Sequence, residues 1–130
     1  MTSQKFEKDG DSKIIMVAFC HFAWDALVEI ESLPAIKRIL VQHGVVLIPS
    51  FFPIYDFILD QQKQHPDFQF ALSYDDQPWT DAGIEMFSPS FYFFRDGQLV
   101  QKEHGWNRAN FCRSARAAGY DVGNDCNLTP

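Results

Sequence analysis

No Cys-x-x-Cys pair occurs in the 130 residues, and the three cysteines, Cys20, Cys112 and Cys126, are odd in number and far apart. A disulfide framework is therefore not expected, and a reducing, cytoplasmic setting is the expected one. Basic residues are scarce: 11 Lys and Arg against 17 Asp and Glu leave a net charge of −6. That removes the usual attraction to phosphate backbones and anionic lipid, so neither nucleic acid nor a membrane is the expected partner. No run approaches the roughly 18 apolar residues of a membrane span. Ile14 to Ala23 has about the length of a signal-peptide core, but acidic Glu7, Asp9 and Asp11 stand among the lysines before it. Bulky Phe19 also precedes Cys20, where a lipoprotein signal needs a small residue. The mature protein is expected to start near Met1. The four histidines, His21, His43, His65 and His104, form no i, i+4 pair, so no metal site is expected, and no motif calls for a cofactor.

What the chain does have is apolar surface: 46 % of its residues, thirteen of them phenylalanine, enough for one packed domain. Its most informative stretch runs from Phe87 to Val100. Phe91-Tyr92-Phe93-Phe94 is apolar at every position and must be covered on both faces, while Asp96-Gly97 supplies the positive φ of a two-residue hairpin. Upstream, residues 1–12 are polar and read as a flexible arm. Ile14 to Phe19 is a short β-rich run. Apolar positions at helical spacing follow through Leu33, and a second helix starts at Pro34 and closes at His43-Gly44. Val45-Val46-Leu47-Ile48 reads as a central strand, and Ile54 to Gln64 as a helix stopped by Pro66. Phe68, Phe70, Leu72 and Tyr74 alternate as a half-buried strand, joined to the previous one by a right-handed crossover. Asp75-Asp76-Gln77-Pro78 is turn chemistry whose acids are expected to face water. Arg95 and Lys102 read as solvated edge charges. Asn107 caps a last helix through Ala118, and residues 119–130 read as a loose tail. Residues 13–118 form the domain.

Pro89-Ser90, the apolar strand, Arg95, the Asp96-Gly97 turn and Gly105 resemble the corresponding stretch of the thioredoxin fold. Asp76-Gln77-Pro78 is similar to that family's Asp-rich turn before its third helix. The resemblance covers about Ile36 to Ala118 and implies an α/β, three-layer sandwich: a mixed central sheet flanked by helices, with a C-terminal β-hairpin and helix. It places the redox motif after the Val45–Ile48 strand, where the chain has Phe52-Pro53-Ile54-Tyr55-Asp56-Phe57 and no thiol. Among redox-inactive relatives it is similar to proteins that assist nickel-iron hydrogenase maturation, through His43-Gly44-Val45-Val46-Leu47 and His65-Pro66-Asp67-Phe68.

Three functions stay open. The leading one is a redox-inactive protein that binds a protein or peptide, such as an assembly factor or chaperone, and is not an enzyme. Its surface would comprise Phe51, Phe52, Pro53, Tyr55, Trp79, Phe87, Ser88 and Pro89, with the backbone beside a cis proline pairing with a peptide. The second is a single-thiol oxidoreductase or peroxidase using Cys20, which ends an apolar run ahead of a helix where the helix dipole would favour a thiolate. The alternative for Cys20 is a small buried apolar residue, as Cys112 is read, while Cys126 is read as an exposed thiol. The third is a structural subunit that self-associates through exposed aromatics. Neither the partner nor the oligomeric state can be read from the sequence.

Overall fold

The computed structural model describes residues 2–3, 12–52 and 55–126. Six strands form one sheet: β1 (Thr2–Ser3), β2 (Ser12–Val17), β3 (Gly44–Ile48), β4 (Phe70–Leu72), β5 (Ser90–Arg95) and β6 (Gln98–His104), in the spatial order β1-β4-β3-β2-β5-β6. The pairs β1–β4, β4–β3 and β3–β2 are parallel, whereas β2–β5 and β5–β6 are antiparallel. The helices are α1 (His21–Glu31), α2 (Pro34–His43), α3 (Tyr55–Gln64), α4 (Gln77–Asp81) and α5 (Arg108–Ala117), followed by a 3₁₀ turn, Gly123–Cys126.

The period-2 pleat sorts the strand side chains into two cores. Ile14, Met16, Val46, Ile48, Phe70, Phe91 and Phe93 point to the face that carries α1, α2, α3 and α5. Ile15, Val17, Val45, Leu47, Ala71, Tyr92 and Phe94 point to the other, which Trp79 of α4 and Ile84 close. Both faces of β2, β3 and β5 are covered, so their sequences are continuously apolar rather than alternating. On α1, Ala23, Ala26, Leu27 and Ile30 form the buried stripe at i, i+3, i+4 and i+7.

The hairpin forms at the expected turn, where Asp96 and Gly97 have φ of 52° and 76°. Both values are positive, which matches the twist of the flanking strands. Asn107 caps α5 through Asn110 N–H, which donates to its side-chain oxygen at 3.0 Å.

Four expectations are corrected. Arg95 is not a solvated charge: its Nε donates to Ala118 O and its Nη2 to Gly119 O, each at 2.6 Å, ending α5, and its guanidinium lies 4.9 Å from the Tyr120 ring centre. Residues 119–126 are not loose, because Tyr120, Val122 and Cys126 are buried; 127–130 lie outside the described residues. Cys112 and Cys126 form a disulfide with Cα atoms 5.7 Å apart, so Cys126 is not an exposed thiol. The sequence spacing of 14 hid this pair because the chain turns back at Gly119, whose φ is 89°. Finally, Thr2–Ser3 of the leader form a strand beside β4; residues 4–11 lie outside the described residues.

Candidate functional site

The antiparallel partner of the proline-led strand β5 is β2, not β3, with Val17 opposite Ser90 and Met16 opposite Phe91. The chain leaving β2 therefore arrives directly beside the Ser88-Pro89 bond, which is cis. There Cys20 occupies the N-cap of α1 in an extended conformation. Its Sγ donates to Ser88 O at 3.4 Å, and Ser88 Oγ donates to Sγ at 3.1 Å. Phe19 N–H donates to the same Ser88 hydroxyl at 2.8 Å. A hydroxyl has one proton to give, so with the Phe19 amide already at its lone pair, the Ser88 hydroxyl has its proton aimed at sulfur. The arrangement suits either protonation state: a thiol gives its proton to the Ser88 carbonyl, and a thiolate takes a charge-assisted hydrogen bond from the Ser88 hydroxyl.

This corrects the placement of the site opposite Pro89. The family resemblance puts Phe52 to Phe57 there, with no thiol among them. Two equally apolar runs, Ile14–Ala18 and Val45–Ile48, compete for the central position, and the extra helix α2 between α1 and β3 makes Val45–Ile48 resemble the strand that leads into the motif. The run Ile14–Ala18 followed by Cys20 and a helix is the signal that could have found it. Three residues beyond Cys20 stands Ala23, fully buried, so the Cys20-His21-Phe22-Ala23 turn carries one thiol.

The residues expected to form a peptide surface divide into separate groups. Ser88 and Pro89 meet Cys20, with Phe87 exposed nearby and stacked on His104 at 5.1 Å. Phe51 is 56 % exposed and packs edge-on against Phe19 at 5.0 Å, so it belongs to the same rim. Phe52 and Tyr55 instead line a pocket of about 160 Å³ with Pro49, Ile58, Leu72 and Tyr74. Trp79 is 3 % exposed and fills the second core, so it is not accessible to a partner. Pro53 lies outside the described residues.

Two side-chain anchors hold the rim in shape. Tyr92 Oη donates to Glu85 O at 2.9 Å and accepts from Glu85 N–H at 3.1 Å, fixing the segment that leads to the cis bond. Burial pushes the Tyr92 phenol above its ordinary range, a shift that hydrogen bonds from the surroundings only partly offset. Asp76 does not simply face water: it accepts from Ser50 N–H at 3.1 Å, from Ser50 Oγ at 2.8 Å and from Ser73 Oγ at 2.5 Å. Burial pushes this carboxyl up, but the Ser73 and Ser50 hydrogen bonds outweigh it and hold the group below its ordinary value. Asp76 thus ties the ends of β3 and β4 together. Among the described residues, no three His, Cys, Asp or Glu side chains gather as metal ligands, and no helix is long and apolar enough to cross a membrane.

No protein-family model and no curated protein matches this sequence. Solved structures do match in three dimensions. A Neisseria meningitidis protein described as a thioredoxin superposes with a TM-score of 0.62 at 13 % identity, over 90 % of this chain and 81 % of that one. A thioredoxin-like protein solved in its oxidised form gives 0.60 at 19 % identity, over 88 % and 85 %. A Chlorobium tepidum protein described as the thiol:disulfide interchange protein DsbE gives 0.55 at 15 %, over 89 % and 83 %. A mixed sheet flanked by helices, a cis proline opening β5 and these superpositions together establish a thioredoxin-like fold for this chain.

Proposed function

We propose that the protein carries out thiol–disulfide exchange on a peptide or protein through the single thiol of Cys20. The carrying observation is the position of Cys20 Sγ between the carbonyl and the hydroxyl of Ser88, beside Pro89. In this reading Cys20 loses its proton to solvent and the Ser88 hydroxyl donates to the thiolate. The thiolate attacks one sulfur of a substrate disulfide; a bond forms between Cys20 Sγ and that sulfur, and the second sulfur leaves with the electron pair as a thiolate. Attack by the thiolate of an external low-molecular-weight thiol, or of the substrate's second cysteine, then breaks the mixed disulfide and returns Cys20 as a thiolate. The incoming thiol must come from outside the motif because Ala23 has none to give. Aromatic Phe51, Phe87 and Phe22 around the thiol, all exposed, support a peptide substrate over a small inorganic one.

The test is to offer the folded protein a peptide disulfide and read the mass of the product. One adduct mapping to Cys20, absent in Cys20→Ser and released by added thiol, is the expected result. If folded protein forms no adduct while the urea-unfolded chain does, the reading fails.

A further inference from the structure

Next to the thiol, α1 turns one face toward the Pro89 loop and the start of α5, leaving an open cleft of about 370 Å³. Phe22, Asp25, Ala26 and Glu29 supply the helix wall at i, i+3, i+4 and i+7, and Pro89 and Trp106 stand across from them. Asp25 and Glu29 are exposed, and neither side chain makes a hydrogen bond or ion pair with a described residue. The Trp106 indole is braced by Phe91 and Phe111, with ring centres at 5.9 and 5.5 Å. The cleft thus pairs two carboxylates that have no partner among the described residues with a fixed indole and an exposed phenyl ring, groups that all favour a cation.

Resting on the exchange reading above, we infer that this cleft selects substrates with an Arg or Lys close in sequence to the cysteine that Cys20 attacks. The rise of about 1.5 Å per helical residue puts Asp25 and Glu29 roughly 8 and 14 Å along α1 from Cys20. An extended peptide covers that span in about two to four residues at ~3.3 Å each. The cation stacks on the indole and pairs with the carboxylates, holding the disulfide at Sγ. The chain's own net charge of −6 acts in the same direction at longer range. Anionic thiols and acidic peptides are disfavoured by the same wall.

Three peptides, alike except for Arg, Gln or Glu three residues from a cysteine activated as a thiopyridyl disulfide, test this. Thiopyridone release by the full chain is followed at one fixed pH for all three peptides. At low salt the Arg peptide is expected to react about tenfold faster than the Glu peptide. The ratio should shrink as salt is added, and the three rates should converge in Asp25→Asn/Glu29→Gln. Equal rates in the parent protein would overturn the selectivity and leave exchange standing. If no peptide reacts, exchange fails, and binding decides the inference separately. Cys20→Ser titrated with Arg and Glu peptides that carry serine for cysteine is expected to bind only the Arg form tightly; equal binding, or none, overturns it.

Discussion

The two ends of α1 treat polar groups in opposite ways. Where α1 begins, Cys20 occupies the N-cap without a side-chain hydrogen bond to the helix, and Phe22 and Asp25 are left open to solvent. Where α1 ends and α2 begins, Glu31, Asp67 and Asp125 are all tied. Glu31 Oε1 pairs with Lys37 at 2.7 Å and Glu31 Oε2 with His65 at 2.8 Å, and Asp67 reaches the same lysine at 2.9 Å. Asp125 Oδ2 accepts from the Ala35 and Ile36 amides at 2.6 and 2.9 Å, capping α2 from the far end of the chain, next to the disulfide that holds it. Cysteine shows the contrast most directly: one thiol stays free at the open end and two are joined at the closed end. Environment, not residue type, separates the free thiol from the cross-linked pair here.

Removing sulfur at each end separates the two roles by the largest margins. Cys20→Ser is expected to abolish exchange and to shift the urea midpoint only slightly, since Cys20 is partly buried at the edge of the larger core and serine is close to it in size. Cys112→Ser with Cys126→Ser should do the reverse. It opens a loop of 14 residues, and cross-links of about that length contribute about 3 kcal/mol in the chain-entropy model. Exchange at Cys20 should persist while the urea midpoint falls. A stability loss from Cys20→Ser comparable to that from the double variant would erase the distinction.

Asp125→Ala is the next smaller step. A lost N-cap of this kind costs about 1 kcal/mol, and its signature is local: the Ala35 and Ile36 amides should lose hydrogen-exchange protection ahead of the sheet. Because Asp125 adjoins Cys126, its effect should not add to that of the disulfide variant, which already releases the cap. Full additivity would mean that the turn keeps its place without the cross-link.

How legible these two ends are from the sequence follows from the range of the interactions that build them. The hairpin, the cap at Asn107 and the start of α2 at Pro34 are local, and turn and cap chemistry locates them. The open end depends on which strand pairs with β5, and two continuous apolar runs satisfy the same burial pattern. Cys20 can therefore be weighed as a reactive residue from the sequence, but not placed opposite Pro89. The closed end is built from contacts 34, 89 and 90 residues apart, His65 with Glu31 and Asp125 with Ile36 and Ala35. No periodicity or spacing records such pairs, so a polar, turn-rich segment reads as loose when it is held.

The smallest expected effect is one of pH, and it rests on two tied carboxylates, Glu31 at the closed end and Asp76 at the ends of β3 and β4. At the closed end burial pushes Glu31 up, but hydrogen bonds from Lys37 and His65 and their charges outweigh it, leaving the carboxyl below its ordinary 4.5. At the ends of β3 and β4, the Ser73 and Ser50 hydrogen bonds outweigh burial and hold Asp76 below its ordinary 3.8. A carboxyl lowered by folding stabilises the native state above its unfolded value and loses that contribution as pH falls through the folded one. Both groups therefore act on the acid limb, with the Glu31 contribution beginning to fade from the higher starting pH. Lys37 is shifted upward by its hydrogen bonds to Glu31 and Asp67, so its contribution is present below 10.5 and lost only as pH rises through the folded value. Glu31→Gln should flatten the upper part of the acid limb in thermal midpoints and Asp76→Asn the lower part. Local readouts divide the two groups: Glu31→Gln should loosen the contact between α1 and His65, and Asp76→Asn the Ser50 amide. If Asp76→Asn alone accounts for the whole acid limb, the Glu31 cluster is a solvated surface network and the closed end is held by the cap and the disulfide.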